Sequence, residues 1–259
     1  MIHERSLAGG VILFGLPLEK SENGFIAIET GRFIARVEVE DCPSPRVIVE
    51  DALGTEKIVR EFVGRLLKEL GLNLCVQASG RAWEGVLTRA SVYAGLTSAI
   101  FEAVAAHHGE AASTCEIIEY SSMLDDIGEP SWQGVVSALR FNSLKGGATV
   151  FRNIDECFQL VPKVRARVSM GKTLDLDPQM HNEKDLGPDL YGSLIHTVGI
   201  LVLEASVRIR DADGMLHRAG LFPLLELQKS LAEYFWAYRS ALFPSPGLPR
   251  QFHELYLEV

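Results

Sequence analysis

The sequence is short of positive charge: 25 lysine and arginine residues stand against 34 aspartate and glutamate residues, a net charge of −9. Binding to a nucleic-acid duplex requires clustered Lys and Arg that displace counterions. The acidic balance therefore argues against nucleic acid and against an anionic membrane surface as partners. It is compatible with an anionic small molecule, because a binding site needs only a local positive field.

Cysteine is scarce and scattered, at Cys42, Cys75, Cys115 and Cys157, and no CxxC pair occurs. Structural zinc sites usually bring cysteines together in such pairs. We therefore expect no zinc site. Four reduced, buried thiols are typical of a cytoplasmic protein.

Long apolar runs are missing as well. The stretch VILFGLPL near the start is too short for a signal core or a membrane span. The stretch MGKT, at 170–173, ends like a Walker A loop, but that loop needs a glycine five residues before its GK pair, where this chain has Ala166. We therefore expect a cytoplasmic protein without a Walker-type phosphate loop.

The chain has 259 residues, 47% of them apolar, which predicts one or two domains with an ample core. In the first third, alternating apolar residues predict strands; in GFIAIETG, the residues Phe25, Ala27 and Glu29 share one side. A helical period follows between Thr55, a suitable N-cap, and Gly71, a suitable stop. Strands are predicted in GGVILFG, GFIAIETG, RFIARVEVED, PRVIVED and LNLCVQAS.

Residues 91–109, SVYAGLTSAIFEAVAAHHG, suggest a phosphate site at the start of a helix. We predict that the helix begins near Thr97, where unpaired N–H groups and the positive dipole end would attract an anion. Gly95 permits close backbone approach, and the hydroxyls of Thr97 and Ser98 can bind phosphate or, through Ser98, Mg²⁺. The simpler alternative is an ordinary N-cap. The predicted phosphate-binding residues are Gly95, Leu96, Thr97 and Ser98.

Further along, TCEIIEYSSMLDD predicts a short helix, and GEPSWQGVVSALRFNSLKGGATVFRN predicts a loop, a helix, a glycine turn and a strand. The last hundred residues read as a smaller α+β unit: a strand in KVRARVSM, helices in SLIHTVGILVLEASVRI and FPLLELQKSLAEYFWAYRSAL, and a final strand in HELYLEV. We place a domain boundary near residue 155, which divides the chain into 1–155 and 156–259.

Three stretches carry a resemblance to a known family. LAGGVILFG at 7–15 resembles the opening strand of the GHMP kinase superfamily, usually written APGKVILFGEH. YAGLTSAIFEAVAA at 93–106 resembles that family's phosphate loop GLGSSAA and its helix. EPSWQGVVSALRFNSLKGGATVFR at 129–152 resembles its stretch SGxD…GG and the strand after it. The resemblance covers the first 155 residues.

The resemblance implies an α+β, two-domain GHMP-kinase-like fold. Its N-terminal domain would be ribosomal-protein-like with a left-handed βαβ unit, and its C-terminal domain would be ferredoxin-like. The site would lie in the cleft between them, with ATP and Mg²⁺ as cofactors. Ser131 and Gly134 would then adjoin the nucleotide phosphates.

The chain departs from the family at several site positions. The family's lysine after the first glycine corresponds to Gly10, the aspartate of SGxD to Gly134, and the middle glycine of GLGSS to Thr97. No third glycine motif is visible near the C-terminus. Phosphoryl transfer usually needs carboxylates that orient the acceptor and hold Mg²⁺. Candidates for that role are Asp125, Asp126 and Glu129, with solvated loop carboxylates as the alternative.

Three basic residues fall in loops that should rim the cleft: Arg81, Arg89 and Lys145. Any of them can bind phosphate. His107 and His108 end the helix of the phosphate motif, where the dipole favours a cation. With no third ligand in sight, we interpret the two histidines as surface residues and predict no metal site from protein motifs.

These observations leave three functional hypotheses. The first is ATP-dependent phosphotransfer to a small metabolite by a degenerate GHMP-type active site. The second is a phosphoribosyl pyrophosphate-dependent transferase resembling β-ribofuranosylaminobenzene 5′-phosphate synthase, an archaeal decarboxylating branch that writes SGIG where kinases write SGxD; Ser131 and Gly134 fit that pattern. The third is a non-catalytic homologue that binds a ligand or a partner. A homodimer is compatible with each.

Overall fold

One long strand, β2 (Phe25–Asp41), is at the centre of the fold. In the computed structural model, β1 (Ile2–Gly15) pairs antiparallel with β2 along nearly its whole length. The stretches GFIAIETG and RFIARVEVED, predicted as strands, form this one strand. Side chains of β2 alternate between buried and outward positions from Phe33 to Val39, as a half-buried strand requires.

The structure describes residues 2–15, 24–50, 52, 54–85, 87–121, 132–153, 156–162, 164–168, 173–174, 187–211, 223–224, 227 and 255–258. Further strands in these ranges are β3 (Arg46–Glu50), β4 (Leu74–Gly85), β5 (Leu87–Thr88), β6 (Ala148–Phe151), β7 (Cys157–Val161), β8 (Arg165–Val168), β9 (Thr173–Leu174) and β10 (Leu255–Glu258). The helices are α1 (Glu56–Glu69), α2 (Arg89–His107), α3 (Thr114–Ser121), α4 (Trp132–Ser143) and α5 (Pro188–Asp211).

Eight of the described strands form one mixed sheet around β2. The C-terminal half of β2 pairs with β4, and β4 pairs in parallel with β3 through the crossover helix α1. The N-terminal half of β2 pairs with β6, and Glu29 in its middle pairs with Arg165 of β8. Strand β2 therefore joins two parts of the sheet, with Glu29 at the junction. The predicted division near residue 155 stays a prediction.

The main core lies between one face of this sheet and helices α1 and α2. Val59, Phe62 and Leu66 of α1 are buried in one cluster with residues of β2, β3 and β4. Gly71 ends α1 with φ of +65°, a conformation that favours glycine. Thr55 stands at the predicted N-cap, but its hydroxyl donates to the Ala52 carbonyl at 2.7 Å and does not cap the helix.

The predicted start of α2 is wrong. The helix begins at Arg89, and Thr88 is its N-cap: the Thr88 Oγ1 accepts a hydrogen bond from the Ser91 N–H at 3.1 Å. Thr97 therefore lies well inside the helix. Of the other predicted elements, the short helix α3, the helix–glycine–strand unit of α4 and β6, and strand β8 are confirmed, as are helix α5 and strand β10. Most of the predicted helix 222–242 lies outside the described residues.

Within the described ranges, no helix combines the length and the apolar character that crossing a bilayer requires.

Candidate functional site

The residues predicted to form a phosphate loop lie in the interior of α2. Inside an α-helix each N–H is bonded to the carbonyl four residues earlier, so Gly95, Leu96, Thr97 and Ser98 have no amides to offer an anion. The Thr97 hydroxyl is also used within the helix, donating to the carbonyls of Tyr93 at 2.9 Å and Ala94 at 3.1 Å. The premise of the prediction, a helix that starts at Thr97, is therefore wrong.

The surroundings of Ser98 also argue against the predicted Mg²⁺ contact. Ser98 is buried, and its Oγ lies 3.4 Å from Nη1 of Arg5. Arg5 forms an ion pair with Glu102, whose other oxygen lies 3.3 Å from Nε2 of His3. Burial lowers the pKa of Arg5, although Glu102 holds the guanidinium in place. A guanidinium beside the hydroxyl is an unfavourable neighbour for a divalent cation.

The actual start of α2 lies at the end of β5, against Gly9 of β1. The hydroxyls of Thr88 and Ser91 are 2.7 Å apart, and both residues are buried. A Cβ added at Gly9 would stand 2.4 Å from Leu87 Cδ2 and 3.5 Å from Ser91 Cβ, so glycine allows β1 to approach this junction closely. Arg89, one of the predicted phosphate-contacting residues, is the half-buried first residue of the helix. We call Thr88–Ser91 with Gly9 the β5–α2 junction.

Gly10, the position of the family's lysine, is packed against helix α4. A Cβ on Gly10 would stand 2.8 Å from Phe141 Cζ and 3.2 Å from the Ile28 carbonyl oxygen. Nearby, the Asn142 Oδ1 accepts a hydrogen bond from the Ala8 N–H at 3.0 Å. Phe141 thus fills the space that a long side chain at residue 10 would need.

The remaining predicted site residues are separated. Gly134 lies in the first turn of α4, while Ser131 and the three candidate carboxylates Asp125, Asp126 and Glu129 fall outside the described residues. Arg81 is exposed on β4, opposite Ile34 of β2.

Lys145 lies in the turn that follows helix α4 and is exposed. It has φ of +65°, and its N–H donates to the Asn142 carbonyl at 2.9 Å. The next N–H, of Gly146, donates to the Phe141 carbonyl at 3.1 Å, so a Schellman-type turn closes the helix. This turn brings Lys145 beside the Gly146–Gly147 loop.

That glycine loop lies against a buried carboxylate that sequence reasoning missed. Glu29 is only 1% exposed. Its Oε1 accepts from Nε of Arg32 at 2.7 Å and lies 3.0 Å from Nε of Arg165, and its Oε2 accepts from the Gly147 N–H at 3.2 Å. A Cβ on Gly146 would stand 2.4 Å from Oε2, so a glycine is required there. We call Glu29, Arg32 and Arg165 the Glu29 cluster.

The cluster joins elements that are far apart in sequence. Arg165 also reaches Glu84 of β4, with 2.9 Å between Nη1 and Oε2. The hydrogen bond to Glu29 raises the pKa of Arg32, with the charge of Glu84 adding to this and burial opposing it. One signal in the sequence pointed here: Glu29 shares the apolar side of its strand with Phe25 and Ala27, and a buried carboxylate must be paired.

Metal ligands do not gather in the part of the chain that the structure describes, where no group of three or more His, Cys, Asp or Glu residues could hold an ion. His107 Nε2 lies 3.2 Å from Asp41 Oδ1, and the rings of His107 and His108 meet edge to face.

Solved structures of similar fold include mevalonate kinase from Methanococcus jannaschii, with a TM-score of 0.53, 10% identity, and coverage of 90% of this chain and 78% of that chain. Phosphomevalonate kinase from Streptococcus pneumoniae, in complex with phosphomevalonate and AMPPNP, has a TM-score of 0.52 and 12% identity, with coverage of 89% of this chain and 80% of that chain. The chain has the fold of the GHMP kinases. The Lin0012 protein of Listeria innocua has a TM-score of 0.55 and 12% identity, with coverage of 92% of this chain and 79% of that chain. A scan against family models and a search of curated proteins find no match.

This likeness confirms the predicted α+β GHMP-kinase fold. At these identities it establishes the fold and leaves the reaction to the residues of the site. Within this fold, Gly9 of β1 lies against the β5–α2 junction, and the next residue, Gly10, pairs with Glu29 of β2 in the sheet.

Proposed function

We propose that the protein is an ATP-dependent phosphotransferase that acts on a small metabolite, with the nucleotide phosphates bound at the β5–α2 junction. The observation that carries the proposal is the β5–α2 junction: helix α2 starts at Arg89, directly after strand β5 and against Gly9, in a fold that this chain shares with a kinase solved with AMPPNP. Helix starts favour anions because the helix dipole is positive there.

Arg89 is the residue of this junction suited to contact a phosphate oxygen. It begins α2, and its guanidinium can form paired hydrogen bonds with phosphate. The buried hydroxyls of Thr88 and Ser91 bond to each other and support the helix start. Mg²⁺ would accompany ATP as its counter-ion, and the carboxylates proposed to hold it are Asp125, Asp126 and Glu129.

Calorimetric titration with ATP–Mg²⁺ and AMPPNP–Mg²⁺ tests this proposal. We expect both nucleotides to bind, and Arg89→Gln to weaken binding by about tenfold, the loss typical of one charge-assisted hydrogen bond. Arg60→Gln, an exposed change on α1, is the matched control and should leave the affinity unchanged. Absence of nucleotide binding to the native chain would contradict the proposal, and binding of phosphoribosyl pyrophosphate alone would favour the transferase hypothesis.

A second candidate, a ligand-binding homologue without phosphotransfer, is favoured by the packing of Gly10. Phe141 occupies the space beside this position, where the family places a lysine. Gly134 likewise offers no carboxylate where the family places its aspartate. A protein that binds ATP–Mg²⁺ but forms no ADP with any of a panel of small alcohols and phosphomonoesters would fit this second candidate.

A further inference from the structure

Two arginines converge on one buried carboxylate at the junction of the sheet. The Nε atoms of Arg32 and Arg165 lie 2.7 and 3.0 Å from the same oxygen, Oε1 of Glu29. The second oxygen of Glu29 accepts from the Gly147 N–H at 3.2 Å and from Nη2 of Arg32 at 3.4 Å. A carboxylate bonded at both oxygens fixes the planes of both guanidinium groups.

The two guanidinium groups keep outward N–H groups. Arg32 uses Nε and Nη2 on Glu29; Arg165 uses Nε on Glu29 and Nη1 on Glu84. Among the described residues, Nη1 of Arg32 and Nη2 of Arg165 have no partner. The Arg32 and Arg165 side chains are 33% and 35% exposed, so solvent reaches them, while Glu29 beneath them is 1% exposed.

The formal charges around the two arginines are close to balance. Arg32 and Arg165 are matched by Glu29 and Glu84. Glu258 of β10 pairs in the sheet opposite Arg165, and the exposed Lys145 stands next to the glycine that lies against Glu29. An anion would therefore be held by the hydrogen-bond donors of the two guanidinium groups and not by an excess of positive charge.

We propose that Arg32 and Arg165 bind the oxyanion of a small metabolite, a phosphomonoester or a carboxylate group. Planar guanidinium forks match the paired oxygens of these groups, and their fixed orientation reduces the entropy lost on binding. Glu29 is the positioning residue that aims both forks. That the oxyanion belongs to the acceptor rests on the proposed phosphotransferase function; the oxyanion site itself does not.

Calorimetric titration of the full chain with three matched probes tests the site: glycerol 3-phosphate, glycerate and glycerol. We expect one or both anions to bind and glycerol not to bind; the two anions distinguish a phosphate from a carboxylate site. Arg32→Gln should weaken anion binding at least tenfold, as the loss of a charged hydrogen-bond donor predicts. Arg32→Lys should have an affinity between those of the native chain and Arg32→Gln, because lysine keeps the charge but lacks the planar pair of N–H donors. Arg36→Gln, on the same strand with its own partner Glu38, is the control and should have no effect.

The variant Glu29→Gln tests whether Glu29 acts by orienting the two arginines or only through its negative charge. The substitution removes one negative charge, so simple electrostatics would strengthen anion binding, whereas loss of the anchor should weaken it. Weaker binding at an unchanged far-ultraviolet circular dichroism spectrum supports the proposal. If this variant does not fold, the comparison of anion binding by Arg32→Gln and Arg36→Gln is sufficient to test the oxyanion site.

The proposal is overturned if neither anion binds the native chain, or if Arg32→Gln and Arg36→Gln weaken binding equally. ATP–Mg²⁺ titrated against the same variants keeps the two proposals apart. If an anion binds and ATP does not, the phosphotransferase proposal is rejected and the oxyanion site is supported. If ATP binds and neither anion does, the oxyanion site is rejected and the nucleotide site is supported.

Discussion

Gly95 of helix α2 lies directly against the ring of Phe33 in strand β2. A Cβ on Gly95 would stand 2.2 Å from Phe33 Cζ and 2.8 Å from Leu7 Cδ1, where carbon atoms in contact normally stand about 3.5–4.0 Å apart. Phe33 and Leu7 are both buried in the main core. The glycine that suggested a phosphate loop therefore serves the close packing of helix on sheet.

Gly95→Ala should lower the stability of the protein. Overpacking a core typically costs about 1–3 kcal/mol; because two buried side chains lie within 3 Å of the added Cβ, we expect this cost to outweigh the roughly 1 kcal/mol that alanine gains over glycine in a helix. Gly64→Ala is the matched control: Gly64 lies inside α1 with no heavy atom within 4 Å of the added Cβ, so that change should raise stability by up to about 1 kcal/mol. Urea denaturation measures both, and equal gains for the two variants would refute this account of Gly95.

Tyr93→Phe should leave the protein as stable or stabilise it by about 1 kcal/mol, since it removes a polar group that is buried without a partner. Tyr93 is fully buried, and its hydroxyl has no hydrogen-bond partner in the described structure. Burial raises the pKa of this hydroxyl, and the ring meets Phe62 edge to face at 6.1 Å. Thermal unfolding of Tyr93→Phe beside Tyr120→Phe, a half-buried control, checks the effect. A clear loss of stability specific to Tyr93→Phe would mean that the hydroxyl has a partner after all.

The sequence predicted most elements because their patterns are local. Alternation marked β2, and a single apolar face marked α1. Helix α2 lacked such a pattern: every residue from Ala90 to Ile100 is buried, so no polar face shows where the helix begins. Two adjacent hydroxyls at Thr97 and Ser98 then looked like a cap, while the true cap, Thr88, stood earlier in the chain.

The Glu29 cluster could not be assembled from the sequence. Of the contacts to the Glu29 carboxylate, only Arg32 is near in the chain; Gly147 and Arg165 arrive through the pairing of β2 with β6 and β8. Pairing between strands that are far apart in the chain has no local pattern in the sequence. The one sign of it is a carboxylate on the apolar side of a strand. The sequence alone shows that this chain departs from the family pattern at Gly10 and Gly134. It does not show that the ring of Phe141 occupies the space beside Gly10.

Restoring the family's lysine should be costly in this chain. Gly10→Lys places a Cβ 2.8 Å from Phe141 Cζ, so we expect a loss of about 1–3 kcal/mol from overpacking. Phe141→Ala alone should cost about 3–5 kcal/mol, because it leaves a cavity. In the double variant the lysine stem fills part of that cavity, so the combined loss should be smaller than the sum by about 0.5–3 kcal/mol. A double-mutant cycle in urea measures this coupling, and strictly additive losses would show that Phe141 does not exclude a side chain at residue 10.

The start of helix α3 should loosen in acid. Both the hydroxyl and the N–H of Ser113 donate to Oε2 of Glu116 at 2.7 Å, and these bonds lower the pKa of Glu116. Because the folded pKa is depressed, this stabilisation is complete above the ordinary glutamate pKa and is lost as the pH falls through the folded value. Ser113→Ala should raise the pKa of Glu116 part of the way to its ordinary value, since the backbone bond remains. An NMR titration of the Glu116 side-chain carboxyl carbon measures the shift. The Ser113 amide should also lose protection in acid, so that its exchange rate rises relative to its intrinsic rate in the native chain but not in Glu116→Gln. An unchanged Glu116 pKa in Ser113→Ala would show that the hydroxyl does not hold the carboxylate.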